Sequence, residues 1–416
     1  MTTPDSSSWP LVRLSDCADI LSGGTPFKGE AGFWGGSIPW VSAKDMKIFR
    51  LHDARDHVTP EGADNGTRIA PAGSTLVLVR GMTLHDHVPV CWLMCNMAFN
   101  QDVKAVVPKS HVHPEYLAYW LAASGARLHG LVDAAGHGTG RIAGPSLHAL
   151  PVRLPPLEEQ RLIARSLGAV DRKIELNRRM NGTLESIARA VFKSWFVDFD
   201  PVRKKLEGGE VGLPSDLAAI FPSSLGESPL GQIPAGWAVD AVGELIDLRY
   251  GRALRAQDRQ PGSVPVYGSN GQVGWHDTPL VSGSGIVVGR KGNPGTVSWV
   301  QGDFFPIDTS FYVRPKRDTA DLHYLYHALD RLGLPSLSAD SAVPGLNRES
   351  ACHARLLKPP LALTTAYGSF VKPLVKRQAQ FERESVRLAE TRDALLPRLL
   401  DGTLHHTHQS RGVRCD

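Results

Sequence analysis

The side chains best suited to chemistry in this 416-residue sequence sit in loops that close short apolar runs. Arg290-Lys291-Gly292-Asn293-Pro294-Gly295 follows one such run and joins two cations, an amide and pliable backbone. An arginine fork matches a guanine edge or a phosphate, and an asparagine amide matches an adenine edge. The plainer alternative is a hairpin turn with solvated charges. The other half of the chain repeats the arrangement at Arg80-Gly81, which favours the first reading. Tyr267-Gly-Ser-Asn-Gly is foremost a turn, yet Ser269 and Asn270 offer a hydroxyl and an amide to phosphates or bases. Thr25, Ser42 and Lys44 offer similar groups in the first half, and Arg249, Arg252 and Arg255 form a basic cluster whose default role is solvation. Asn347 and Arg348 are expected in the loop before the last strand of the second half, with Arg141 in the comparable loop of the first.

Other chemistries find little support. The histidines at 85 and 87, 111 and 113, and 405, 406 and 408 have no acidic or cysteine partner at a recognised ligand spacing. Asp86 would point to the opposite strand face from its neighbours. Cys91 and Cys95 lack a second pair, and Gly136-His-Gly-Thr-Gly is no dinucleotide fingerprint without a strand before it and a helix starting in it. Gly283-Ser-Gly is too short for a nucleophile elbow. The Asn-Pro-Pro-aromatic signature of adenine methyltransferases and a Gly-Lys-Ser/Thr phosphate loop are both absent. The expectation is no metal, no cofactor bound by this chain and no catalytic residue.

The net charge of +4 is small for a free-standing nucleic-acid binder, whose affinity comes largely from phosphate neutralisation. Any such binding must rest on local patches or on partners. Hydrophobic residues make up 42% and charged residues 21%, an ordinary water-compatible balance, so two or more domains with their own cores are expected. No apolar run approaches the roughly 18 residues of a membrane span. Met1-Thr-Thr-Pro carries neither the basic start nor the apolar stretch of a secretion signal. Five scattered cysteines, Cys17, Cys91, Cys95, Cys352 and Cys415, predict a reduced, cytoplasmic protein without a disulfide framework.

The elements that would position the loops occur twice. Gly73-Ser-Thr-Leu-Val-Leu-Val-Arg80 reappears as Gly283-Ser-Gly-Ile-Val-Val-Gly-Arg290, and Asp102–Pro108 as Thr309–Pro315. A helix follows each, Pro114-Glu-Tyr-Leu and Leu322-His-Tyr-Leu, and each half closes on a double proline, Pro155-Pro156 and Pro359-Pro360. The nearly constant offset argues for one scaffold used twice with different loops.

A long helical stretch follows each copy. Ile163, Val170, Asn177, Leu184 and Val191 recur at one heptad position, with Leu167, Ile174, Asn181, Ala188 and Trp195 at a second. Such a seam predicts a coiled coil of roughly 60 Å at about 1.5 Å per residue. Asn177 and Asn181 either fix its register as buried polar groups or face a solvated gap. The second stripe, Tyr367, Leu374, Phe381, Leu388 and Leu395, is weaker, and Pro373 and Pro397 should kink the helix or mark its ends. The two helices most economically pair with each other, antiparallel. The stretch from Asp200 to Pro234 reads as a linker from its glycine, proline, serine and charge.

Leu154-Pro-Pro-Leu-Glu-Glu-Gln-Arg-Leu-Ile-Ala, continuing through Asp171-Arg-Lys-Ile-Glu to Ala190-Val-Phe-Lys-Ser-Trp-Phe, resembles the central conserved helix of the specificity subunits of type I restriction-modification systems. Arg392-Asp-Ala-Leu-Leu-Pro-Arg-Leu-Leu-Asp-Gly resembles that family's C-terminal helix end. Ser22-Gly-Gly-Thr-Pro and Pro265-Val-Tyr-Gly-Ser-Asn-Gly resemble the starts of its target-recognition domains. The resemblance implies an α+β protein with two repeated α/β target-recognition domains separated by two long helices, paired as an antiparallel coiled coil. On this chain it implies a first recognition domain over 1–155, a spacer helix over 156–199, a linker over 200–236, a second recognition domain over 237–360, a second spacer helix over 361–402 and a disordered tail over 403–416.

It further implies reading of a bipartite site in double-stranded DNA. Thr25, Ser42, Lys44, Arg80, Arg141, Arg249, Arg252, Ser269, Asn270, Arg290, Lys291, Asn293, Asn347 and Arg348 are the expected contacts. The helices, through Ile163, Val170, Ile174, Asn177, Leu184, Val191, Leu374, Phe381, Leu388 and Leu395, would pair and dock two modification subunits. Two restriction subunits would complete the assembly, and S-adenosylmethionine, ATP and magnesium would belong to those partners. One departure stands out: the second double proline lacks the Leu-Glu-Glu-Gln that follows the first. The rivals are a self-sufficient DNA methyltransferase or nuclease, and a scaffold that never touches DNA.

Overall fold

A computed structural model describes residues 9–135, 139–317, 319–339 and 345–403. The histidine-bearing tail beyond Thr403, and most of the Gly136-His-Gly-Thr-Gly loop, lie outside the described residues. The chain divides into two compact units, one of residues 1–176 with 384–416 and one of residues 177–383.

In the first unit a five-stranded sheet runs in the order Ala18–Ser22, Val103–Pro108, Thr75–Leu78, Val90–Leu93, Arg50–Leu51. All four residues of Thr75–Leu78 are buried, as a strand covered on both faces requires. A second sheet orders Asp56–Val58, Trp34–Val41, Met97–Phe99 and Ile69–Ala70, with Trp34–Val41 and Met97–Phe99 parallel. Leu11–Arg13 pairs antiparallel with Pro151–Arg153, so the unit's first strand lies against its last. Helix Pro114–Ala123 buries six consecutive residues, Tyr116 to Leu121, and Tyr116 Oη donates to Arg153 O at 2.7 Å.

The second unit repeats this plan. Its four-stranded sheet runs Ile246–Tyr250, Ser310–Pro315, Gly285–Gly289, Val297–Val300, and Ala238–Ala241 closes on Arg355–Lys358. Tyr324, on helix Leu322–Arg331, donates its hydroxyl to Leu357 O at 2.6 Å, as Tyr116 does to Arg153. Gly23 and Gly251 hold matching places. A Cβ at either would meet a carbonyl oxygen, Phe99 O at 2.1 Å or Ile307 O at 2.2 Å, so only glycine fits.

The ladders correct the sequence alignment by one residue. Val79 N donates to Asp102 O at 2.8 Å, and its counterpart is Arg290 N donating to Thr309 O at 2.9 Å. Arg80 therefore corresponds to Lys291, not to Arg290. In a strand that single step moves a side chain to the other face.

The long helices span Leu157–Phe196 and Leu361–Leu400. In the first unit Ile163, Ala164 and Leu167 share a core with Leu399 and Leu400, while Asp171 meets Arg392. In the second, Asn177 Nδ2 donates to Phe381 O at 3.5 Å, Gln378 Nε2 to Asn181 O at 3.1 Å, and Tyr367 Oη to Ala188 O at 3.1 Å. Ascending numbers meet descending ones, so the pairing is antiparallel. Ile163, Ile174, Asn177 and Phe381 are buried; Val170, Leu184, Val191, Leu374, Leu388 and Leu395 are half-buried. The amide of Asn177 thus lies inside the seam, not in a solvated gap. Contrary to one reading of the sequence, neither Pro373 nor Pro397 ends the helix.

Residues 200–236 are folded elements, not the linker their composition suggests. Helices Asp200–Leu206 and Ser215–Ile220 precede a hairpin of Leu225–Ser228 with Gly231–Pro234, and Val202 and Phe221 enter the second unit's core. Ile233 joins them, and Leu213, Leu217, Ile220 and Leu225 pack against the same core, so scattered apolar anchors fix a segment whose composition is largely polar.

The missing Leu-Glu-Glu-Gln also has an internal explanation. Gln160 is buried; its Oε1 accepts from His113 N at 2.7 Å and its Nε2 donates to Pro155 O at 2.8 Å. In the second unit the buried Thr364 Oγ1 accepts the corresponding bond from Asp321 N at 3.2 Å. A hydroxyl replaces the amide, and the backbone donor before each short helix stays satisfied.

Candidate nucleic-acid interface

In the first unit Arg80–Gly81 pairs with Thr139–Ile142 so that Arg141 stands directly opposite Arg80, and Gly140 opposite Gly81. Arg141 lies within a strand, not in the loop expected for it. The short helical turn Met82–His85 packs closely on this strand: a Cβ on Gly140 would sit 2.8 Å from Leu84 Cβ. Both arginines are exposed. Lys104, from Val103–Pro108, is half-buried and donates to Ser22 Oγ. Its pKa is lowered first by burial and then by the charges of Arg141 and Arg68. Asp133 lies across the ladder from Arg141 on its other side. Among the described residues, none of Arg68, Arg80, Lys104 and Arg141 forms an ion pair. Like charges placed opposite each other weaken a sheet, and Asp133 faces this pair from the Arg141 side only.

Thr25 and Ser42 are engaged internally. Thr25 Oγ1 donates to Gln101 Oε1 at 2.6 Å, and Ser42 donates both its backbone N–H and its hydroxyl to Asp45 Oδ2 at 2.9 Å, closing a turn on which Lys44 is exposed.

The second unit builds a different site. Tyr250, half exposed at the end of its strand, packs on Phe311 with ring centres 5.0 Å apart. The guanidinium carbons of Arg290 and Arg348 lie 5.0 and 5.9 Å from its ring centre. Arg290 Nη1 donates to Asp308 O at 2.8 Å and Arg348 Nε to Leu248 O at 2.7 Å, so backbone carbonyls orient both forks. Asn347 is the N-cap of helix Arg348–His353, its Oδ1 accepting from Glu349 N and Ser350 N. That places Asn347 and Arg348 at a helix start, not in a loop. Tyr250, Arg290, Phe311, Asn347 and Arg348 border an open cleft of about 620 Å³.

Beside it, Ser269 and Asn270 form the turn between Val264–Gly268 and Gly271–His276. Thr296 Oγ1 donates to Ser269 O at 2.8 Å and to Asn293 O at 3.0 Å, joining that turn to the loop bearing the exposed Lys291 and Asn293. Arg249 lies 3.8 Å from Asp247, on the strand face opposite Tyr250, and does not join the cleft; Arg252 is exposed in the following loop. Sequence reasoning passed over Arg68, Lys104 and Tyr250. Only Tyr250 left a signal, an aromatic set among cations where a strand ends.

In each unit the sheet-and-helix fold meets the long helices through a different chemistry. In the first unit Tyr119 Oη donates to Asp171 Oδ2 at 2.5 Å, Arg392 Nη1 donates to Asp171 Oδ1 at 2.8 Å, and Arg50 Nη2 reaches Glu115 at 2.7 Å and Tyr119 Oη at 3.2 Å. In the second, the residue three after Tyr324 is His327, with ring centres 5.5 Å from Phe192 and 6.0 Å from Tyr367. Burial lowers its pKa from 6.5 to about 4; Glu185 opposes that shift, while Arg189 and His323 add to it. Because the folded value lies below the unfolded one, this stabilisation is complete above about pH 6.5 and is lost as pH falls toward 4. At full extent it is on the order of 3 kcal/mol. Thermal melts at neutral and mildly acidic pH should therefore show a drop that is visibly smaller in His327→Gln; equal drops would refute the assignment.

Among the described residues, no group of three or more histidine, cysteine, aspartate or glutamate side chains could hold a metal. No helix there is long and apolar enough to cross a membrane.

Residues 6–186 match the family described as type I restriction modification DNA specificity domain. The chain is 24% identical to the type I restriction enzyme MjaIX specificity subunit of Methanocaldococcus jannaschii, over 95% of this chain and 93% of that protein. It is 30% identical to the EcoR124I/EcoR124II specificity subunit of Escherichia coli, over 38% of this chain and 40% of that protein. In fold it is similar to the crystal structure of the type I restriction-modification S subunit from M. genitalium, at a TM-score of 0.58 and 17% identity over 96% and 98% of the two chains.

Proposed function

We propose that the chain is a DNA specificity subunit of a type I restriction-modification system, the family that residues 6–186 match, and that each of its two units reads one half of a bipartite duplex site. The observation that carries this is the pair Arg80 and Arg141, both exposed and set opposite each other on adjoining strands, with neither held in an ion pair among the described residues. Nothing in folding rewards that juxtaposition, whereas a phosphate or a guanine edge between the forks would. In the second unit Arg290, Lys291, Asn293, Asn347 and Arg348 supply the corresponding groups around the cleft.

On this reading the chain supplies specificity and no catalytic residue. The paired helices carry two modification subunits, which bring S-adenosylmethionine. Two restriction subunits bring ATP and magnesium for cleavage. Tethering two readers on one chain makes the second encounter with DNA intramolecular, which offsets the modest net charge of +4.

The test is a genome-wide map of methylated adenines with and without the gene. A split motif should vanish on deletion. Lys291→Ala should deplete methylation at that motif while the complex still assembles. Loss of assembly with unchanged methylation of the residual complex would favour a pure scaffold. Methylation by the purified chain alone would favour a self-sufficient enzyme.

A further inference from the structure

Matching ladders place different chemistry at the same point of the two repeats. Val103 pairs with Leu78 and Lys104 with Ser22; Ser310 pairs with Gly289 and Phe311 with Tyr250. Lys104 is therefore the counterpart of Phe311, and Ser22 of Tyr250. One unit puts an ammonium and a hydroxyl there, the other two aromatic rings in tilted contact.

We propose that the two units divide the work of recognition: Lys104 of the first seats a backbone phosphate, while Tyr250 of the second positions Arg290 and Arg348 to read base edges. This rests on the reading of the chain as a DNA-specificity subunit and adds which group does what.

The first half of the proposal follows from the surroundings of Lys104. An ammonium is a point charge without a preferred plane, suited to phosphate more than to a particular base. Ser22 Oγ is its one hydrogen-bond partner described, and that partner is neutral. It is half-buried between Ser22 and Val77 on the ladder, and the charges of Arg141 and Arg68 disfavour its protonated form further. An arriving phosphate gives the ammonium an anionic partner and offsets the like charges, and it does so whatever the base sequence.

The second half follows from planarity. A guanidinium reads guanine only when its fork is presented in the plane of the base edge. Long arginine side chains do not hold such a plane unaided. Here each fork has two constraints, the Tyr250 ring and a backbone carbonyl, Asp308 O for Arg290 and Leu248 O for Arg348. Tyr250 is half exposed, although burying its ring against Phe311 completely would be the cheaper fold. Its open position leaves room for DNA to approach the two forks.

The experiment uses the chain assembled with its modification subunits, a duplex carrying the mapped wild-type motif, and a scrambled duplex of equal length. Lys104→Gln should weaken binding to both duplexes alike, reduce the salt slope by about one and leave the methylated motif unchanged. Tyr250→Leu should leave the salt slope alone and cut the preference for cognate over scrambled DNA about tenfold, with wrong bases admitted in one half of the motif only. Tyr250→Phe should behave as wild type. Arg348→Lys, which keeps the charge but loses the fork, should relax the same positions and stands in if Tyr250→Leu does not fold.

A Lys104→Gln complex with an altered motif or an unchanged salt slope would overturn the first assignment. Wild-type fidelity in both Tyr250→Leu and Arg348→Lys would overturn the second. A wild-type complex with no sequence preference would instead sink the underlying reading, and the proposal with it.

Discussion

Alanine at both Arg80 and Arg141 should leave the free chain slightly more stable while costing the assembled complex roughly a hundredfold in affinity for its cognate site. The two residues stand opposite each other across a strand pair, both exposed. Their mutual repulsion is of the kind that weakens a sheet by up to about 1 kcal/mol. Each contact to DNA contributes about 1–3 kcal/mol, so losing two at the lower part of that range accounts for the affinity drop. Opposite signs for stability and binding mark residues held against the preferences of folding. Melting of the free chain and titration with cognate duplex at fixed salt provide the two readings. A lower melting temperature with unchanged affinity would make the pair structural and remove the main support for a DNA-facing surface.

Asp171→Ala should destabilise the chain by about 3 kcal/mol, the usual cost of stripping one partner from a buried ion pair. Its carboxylate is 9% exposed and receives Tyr119 Oη on one oxygen and Arg392 on the other. Removing it takes the acceptor from the Tyr119 phenol and leaves Arg392 with Asp393 as its remaining carboxylate. Tyr119→Phe deletes two hydrogen bonds of the same network, the one donated to Asp171 and the one accepted from Arg50, and should cost about 1–2 kcal/mol. Denaturant unfolding followed by circular dichroism measures both. Comparable losses for the two variants would mean that the carboxylate is not the hub. The site lies where the recognition fold of the first unit meets both long helices, so the Asp171 variant should also lower methylation by the complex without altering its motif.

Much of this architecture was legible in the sequence because it leaves local traces. The duplication shows as two spaced copies of a buried strand and a double proline, and the helix pair shows as a heptad stripe through Ile163 and Ile174 that the structure buries. Strand-end cations announced themselves by standing after apolar runs. What escaped depends on neighbours across a ladder. Lys104 looks like any strand lysine until the charges of Arg141 and Arg68 are known to act on it. The offset that equated Arg80 with Arg290 missed by one because apolar strand residues carry no mark of register; only hydrogen bonds to Asp102 and Thr309 supply it. Gln160 read as part of a family signature, and the structure gives it a buried capping role that Thr364 fills in the other copy. The polar stretch after Asp200 misled for a related reason, since Val202 and Phe221 outweigh the surrounding glycine, serine and charge.

The pairing of each unit's first and last strands has a consequence for how such a protein can change. Leu11 faces Arg153 and Ala238 faces Lys358, so everything between leaves and rejoins the chain at neighbouring points, about 5 Å apart across the ladder. A stretch whose ends already meet can be cut out and replaced by another of similar build, with two joins to make and no strain passed to the long helices. Exchange at Arg13 and Pro151, or at Ala241 and Arg355, would rewrite one half of the inherited address while the other half stayed as it was.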